Sequence, residues 1–156
     1  MTAGDQPPGG PFDCVVDASV GIKLFLVEPL SEQADALLDH LTDIPPARFY
    51  VPDLFFIECT NILWKYVRRF DHPADVACQD VADLSRLPLQ IVSTAALAEG
   101  ALALAVEHGS TAYVALTRRL SLPFVTADEV LVRRFKEPDF DVRFLGDWPG
   151  GAAGRL

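Results

Sequence analysis

The sequence predicts an α/β fold, a three-layer α/β/α sandwich around a central, mostly parallel sheet of about five strands. Three observations carry this expectation. Short apolar runs, too brief for helices, recur along the chain. Stretches with apolar residues at helical spacing separate them. Two of the runs end almost directly on an aspartate, Asp17 and Asp128. Strands joined by helices of this size pair in parallel through right-handed crossovers, which places helices on both faces of the sheet.

The elements follow in order. Residues 12–16 form an apolar run with paired valines that stops at Asp17, the pattern of a buried parallel strand. Residues 31–41 open on a capping-type Ser31 and place Ala34, Leu37, Leu38 and Leu41 at helical spacing, before Pro45-Pro46 ends the segment. Residues 49–51 are a minimal second strand. Pro52 and Asp53 then open a helix to about Arg69, on which Glu58, Asn61, Ile62 and Lys65 share one face. Residues 73–85 read as a helix and 89–92 as a third strand. The alanine- and leucine-rich segment 94–108 is a helix that stops at Gly109. A further helix over 110–120, a fourth strand over 122–126, a helix over 129–135 and a fifth strand over 142–145 complete the pattern.

A chain of 156 residues accommodates one domain with a sizeable core and falls short of two. Its 50% apolar and 22% charged residues are those of a globular protein rather than a disordered one. The expected organisation is a disordered leader over 1–11, one domain over 12–147 and a flexible Gly- and Ala-rich tail over 148–156. The leader has neither the basic nor the apolar segment of an export signal. Glu99 and Gly100 interrupt the richest apolar window, so no stretch reaches the roughly 18 residues of a membrane span. A cytoplasmic protein without membrane association is expected. Cys14, Cys59 and Cys78 are odd in number and lack a C-x-x-C pair, which predicts buried thiols rather than disulfides or a zinc site.

In open parallel sheets ligands bind at the carboxyl ends of strands near the switch point, where Asp17 and Asp128 fall. Glu58, early in the helix after the second strand, is expected at the same end with Asn61 beside it. Carboxylates converging from separate segments repel one another unless a divalent cation neutralises them, and oxygen donors suit Mg²⁺ or Mn²⁺. Hydrolysis of a phosphodiester by a metal-activated water is the reaction this set suits. The plain alternatives are that an Asp after a strand caps the next helix and that a helical Glu is solvated. The net charge of −9 opposes a broad phosphate-binding surface. It fits an enzyme with metal-holding carboxylates, or a protein with a basic partner.

These motifs resemble those of PIN domains. Val15-Val16-Asp17-Ala18-Ser19-Val20 is similar to the family's opening strand, Glu58 with Asn61 to its second acidic motif, and Pro123-Phe124-Val125-Thr126-Ala127-Asp128 to its "PLVTAD" strand and last aspartate. The resemblance runs from about residue 12 to 145. It implies a Mg²⁺-dependent ribonuclease acting on RNA, often the toxin of a VapBC-type pair held inactive by an antitoxin protein, and a homodimer is expected. It further implies Asp17, Glu58 and Asp128 as catalytic metal ligands, with the Ser19 and Thr126 hydroxyls as supports.

One family motif is altered. The resemblance places a third acid in a Tyr-Asp-Ala-x-Tyr-x-Ala-Leu segment, where this chain reads Gly109-Ser110-Thr111-Ala112-Tyr113-Val114-Ala115-Leu116. In one alignment Ser110 replaces the acid. In the other, which is preferred, Tyr113 matches the first Tyr and Asp-Ala-x-Tyr is missing before Val114. Four residues are about one helical turn, so their loss rotates the remaining face by only roughly 40° and the fold survives. The carboxylate does not: Ser110 is expected in a supporting role, hydrogen-bonding or positioning a water, but its neutral hydroxyl cannot replace a charge opposite Mg²⁺. Weakened cleavage is expected, and the competing reading is a non-catalytic PIN-fold binding module that engages an antitoxin or a dimer partner. A receiver-like phosphoacceptor domain ranks lower, since Asp17 lacks an acidic neighbour and Gly146-Asp147 stand where a Lys is needed.

The basic groups Lys65/Arg68/Arg69, Arg118/Arg119 and Arg133/Arg134/Lys136 either rim an RNA groove or complement helix dipoles. Trp64 and Tyr66 could stack a base or contact a partner helix, but aromatics at such positions are more often core, and no site role is assigned to them.

Overall fold

The computed structural model describes residues 12–108, 112–136 and 138–150. The predicted leader over 1–11, the end of the predicted tail, Gly109 and Ser110 lie outside the described residues. Five strands, β1 (Cys14–Val16), β2 (Phe49–Pro52), β3 (Gln90–Val92), β4 (Phe124–Thr126) and β5 (Val142–Phe144), form one sheet in the order β3-β2-β1-β4-β5. Every pairing is parallel. The sheet is thus wholly rather than mostly parallel. Strands β1 and β4 are buried throughout, whereas β3 at one edge is mainly exposed. This is why the central runs are continuously apolar.

The strand order fixes where a site can form. From β1 the chain winds outward through β2 to β3, then returns past β1 to place β4 on its other side. The winding direction therefore reverses between β1 and β4, which makes their carboxyl ends the switch point. Asp17 and Asp128 follow these two strands.

The helices match the sequence pattern closely. They are α2 (Ser31–Leu38), α3 (Leu54–Arg69), α4 (Ala74–Leu84), α5 (Thr94–His108), α6 (Ala112–Leu120) and α7 (Glu129–Arg134). The pattern missed α1 (Ala18–Gly21), which leads into a 3₁₀ turn at Ile22–Leu24. One helical turn carries too few residues to show a period. It leaves Asp17 in extended backbone, and α1 packs against α3.

Three expectations are corrected. Ser31 does not cap α2: Leu30, in a left-handed conformation, holds that position. The Ser31 hydroxyl instead accepts from the Glu28 amide and donates to the Leu26 carbonyl. Cys14 and Cys59 are buried, but Cys78 is exposed. Trp64 is 57% exposed with the Arg68 guanidinium 5.6 Å from its ring, and Tyr66 is half-buried with its hydroxyl donating to Glu28. Trp64 stays out of the core because α3 turns it away from Phe55, Cys59 and Leu63, whereas Tyr66 shares their face and packs partly against the core at the end of the helix.

Gly21 is required where α1 meets α3. A Cβ there would stand 2.5 Å from Cζ of Phe55, a ring that is itself 1% exposed. Gly21→Ala is expected to cost about 1–3 kcal/mol through overpacking. Urea denaturation checks this, and an unchanged midpoint would show that the ring can yield.

Candidate active site

Strand β1 delivers Asp17 to the switch point, and burial makes its surroundings decisive. The side chain is 8% exposed. Its Oδ1 accepts from the Ser19 hydroxyl at 2.5 Å and its Oδ2 from the Thr126 hydroxyl at 2.7 Å. The proton positions follow from the backbone. Ala127 N–H donates to Ser19 Oγ at 3.0 Å and Asp128 N–H donates to Thr126 Oγ1 at 3.1 Å. Each hydroxyl thus accepts from the chain leaving β4, and its own hydrogen is directed at Asp17.

Desolvation raises the Asp17 carboxyl from 3.8 to about 6, against the two hydroxyl hydrogen bonds that lower it, and the negative charge of Glu58 adds to the rise. The charged neighbour acting on this buried acid is therefore another acid.

Glu58 sits in the second turn of α3 and is half-buried. Tyr113, in the first turn of α6, donates its hydroxyl to Glu58 Oε2. Desolvation lifts the Glu58 carboxyl above its usual range while this hydrogen bond lowers it. The Tyr113 phenol is raised in turn, first by burial and then by Glu58. Its ring is fixed, because it stacks on Phe124 at 5.8 Å with an interplanar angle of 10°.

Asp128 has a different local task. Its Oδ1 accepts from the amides of Val130 at 2.9 Å and Leu131 at 3.1 Å, so it caps α7. It also lines a cleft of about 460 Å³ together with Asp17, Ser19, Glu58, Asn61 and Tyr113. The plain alternative for this acid is therefore true of it, and it still faces the cleft. Thr126 is fully buried beneath, in contact with Asp17. Ser110 lies outside the described residues, and no described residue before Tyr113 on α6 lines the cleft.

Of the basic groups, Lys65 and Arg134 line this cleft. Arg119 instead donates to the Ala96 carbonyl and Arg133 pairs with Glu129. A larger cavity of about 870 Å³ at the amino end of β4 is lined by Arg118 and Lys136, and contains none of the predicted acids.

Sequence reasoning missed Tyr113. It was read only as an alignment mark, although a Tyr one residue into a helix beside an altered acidic motif was the available signal. The donors present are all oxygen atoms, the chemistry that suits Mg²⁺ or Mn²⁺ rather than zinc. No group of three or more His, Cys, Asp or Glu side chains that could hold a metal ion is found among the described residues. The carboxylates that line the cleft, buried Asp17, half-buried Glu58 and Asp128, offer oxygen donors of the type a hard cation takes. No helix of the described residues is long and apolar enough to cross a membrane.

A parallel sheet with acids at its switch point is the architecture of a nuclease-like α/β class, and the sequence match is to one family within it. Residues 14–137 match the PIN domain family, and this chain belongs to it. Ribonuclease VapC3 of Pyrobaculum aerophilum is 33% identical over 127 residues, 78% of this chain and 93% of that protein. The crystal structure of PAE2754 from Pyrobaculum aerophilum is similar in fold, with a TM-score of 0.59 over 87% of this chain and 91% of that one, at 21% identity.

Proposed function

We propose that this protein is a metal-dependent endoribonuclease, the toxin of a type II toxin–antitoxin pair, which hydrolyses RNA phosphodiester bonds in the cytoplasm at a rate reduced by the lost third acid. The observation that carries the reading is the placing of buried Asp17 and half-buried Glu58 in one cleft at the switch point, each carboxylate held by hydroxyl donation. Supporting it are the family membership and the likeness to a VapC ribonuclease. Asp17 and Glu58, with Asp128 beside them, would hold Mg²⁺ or Mn²⁺. When bound there, the cation lowers the pKa of an attacking water and offsets charge on the phosphoryl oxygens. Ser19 and Thr126 keep Asp17 oriented, and Asn61 offers an amide to the substrate. The test is cleavage of single-stranded RNA with Mg²⁺ or Mn²⁺. Loss of all cleavage on adding EDTA is the expected result, and cleavage that persists would rule out metal dependence.

Lys65 provides a further check. It lies before the last turn of α3, where Arg68 and Arg69 already serve the dipole, so its position in the cleft suits a phosphate of RNA. Lys65→Glu is expected to weaken RNA binding about tenfold at low salt and to flatten its salt dependence. Fluorescence anisotropy in EDTA over a NaCl series measures both; an unchanged slope would remove Lys65 from the interface.

A second reading, a non-catalytic module that binds an antitoxin or a second copy in a homodimer, is favoured by one observation. Ile57 and Trp64 on α3, Phe70 just past its end, and Leu102 and Val106 on α5 are large apolar side chains left exposed. Such surfaces mark interaction sites.

A further inference from the structure

We propose that Tyr113 is a positioning residue for the cation site, holding Glu58 in a fixed place at the point where the family resemblance calls for a third carboxylate. The inference rests on the nuclease reading above and deepens it.

Among the described residues, Tyr113 is the one through which α6 reaches the cleft. Its phenol cannot swing away. The residue is 5% exposed and its ring lies flat against Phe124, which is fully buried in β4. The hydroxyl donates to one oxygen of Glu58 and leaves the other uncommitted to it. Glu58 is a long side chain on an otherwise partly exposed stretch of α3, and without an anchor it samples several rotamers. Asp17 shows the same device in doubled form, with Ser19 and Thr126 on its two oxygens. The acids facing this cleft from β1 and α3 are thus both aimed by neutral hydroxyl donors, whose source is α1, β4 and α6.

A third carboxylate would add charge to the site; a phenol adds order only. Ligating carboxylates that lose an outer hydrogen-bond partner lose affinity for their metal, typically 10–100-fold. Tyr113 therefore makes the remaining pair a better ligand set than two free carboxylates, without restoring the missing charge.

The test is Mn²⁺ binding by the full chain, followed by electron paramagnetic resonance and calorimetry with no RNA present. Tyr113→Phe keeps the ring on Phe124 and removes only the hydroxyl. It is expected to weaken Mn²⁺ binding about 10–100-fold while leaving the melting temperature of the metal-free protein close to the parent's. In a Glu58→Gln background the same substitution is expected to have no further effect, because the two side chains act as one unit. Unchanged or tighter binding by Tyr113→Phe overturns the proposal, as does an equal loss in the Glu58→Gln background. If the parent binds no Mn²⁺ while Asp17→Asn is equally inert, the metal-dependent reading itself fails and the role of Tyr113 falls with it.

Discussion

Asp17→Asn is expected to make this protein more stable and less active at once. The buried carboxyl is raised from 3.8 to about 6, so near neutral pH the folded chain holds a charge that desolvation opposes. The sign follows from proton binding. As pH rises past 4 the unfolded chain releases this proton first, so metal-free stability is fullest below that value and falls as pH rises through about 6. A shift of this size corresponds to roughly 3 kcal/mol. Asparagine keeps the shape and cannot ionise. In EDTA its unfolding free energy is expected to exceed the parent's at pH 7 and to lack the downward slope between pH 4 and 6. Cleavage in Mn²⁺ should fall by more than the 10–100-fold that loss of an outer partner costs. Equal cleavage by parent and variant would show that Asp17 takes no part in the chemistry. An unchanged pH profile of stability would show that its burial carries no electrostatic cost.

Restoring Asp-Ala-Ala-Tyr between Tyr113 and Val114 carries the next largest expectation. Four residues add about one turn to α6, which keeps its buried face within roughly 40° of the present one. The new tyrosine then stands next to Val114, where Tyr113 is now, and the new aspartate lies three residues before it on the same face. Cleavage is expected to rise at least tenfold, no less than the loss of a ligand's outer hydrogen-bond partner costs, with Mn²⁺ binding rising alongside. Ser110→Asp is the companion variant, and whichever of the two gains activity shows where the acid was lost. Activity that appears only on restoration would assign the parent to the binding-module reading. A folded insertion variant with the parent's rate would mean that the third acid is not what limits catalysis.

The sheet was legible in the sequence because its central strands are buried on both faces. Cys14, Val15 and Val16, like Phe124, Val125 and Thr126, are at most 1% exposed, and a strand in that environment takes a polar side chain only where a partner meets it, as Asp17 meets Thr126. The aspartates at the strand ends were legible for the same reason, as the first charges after an apolar run. What stayed hidden depended on contacts between distant segments. Nothing near Tyr113 in sequence announces Glu58, 55 residues away. Asp53 opens α3 as expected, yet its carboxylate accepts from the amide and hydroxyl of Thr94 at the start of α5, tying the two helices together. Trp64 was read as core on residue type alone, whereas its exposure is set by which face of α3 meets the sheet.

The hydrogen bond between Asp17 and Thr126 spans 109 residues. Strand β1 is among the first parts of the fold to leave the ribosome, and β4, which completes its second flank, is among the last. A nascent chain therefore carries Asp17 and Glu58 long before the hydroxyl of Thr126, the α7 cap at Asp128 or Tyr113 can reach them. In a protein whose proposed work is to cut RNA, the order of the strands leaves the site incomplete until β4 and α6 have joined it.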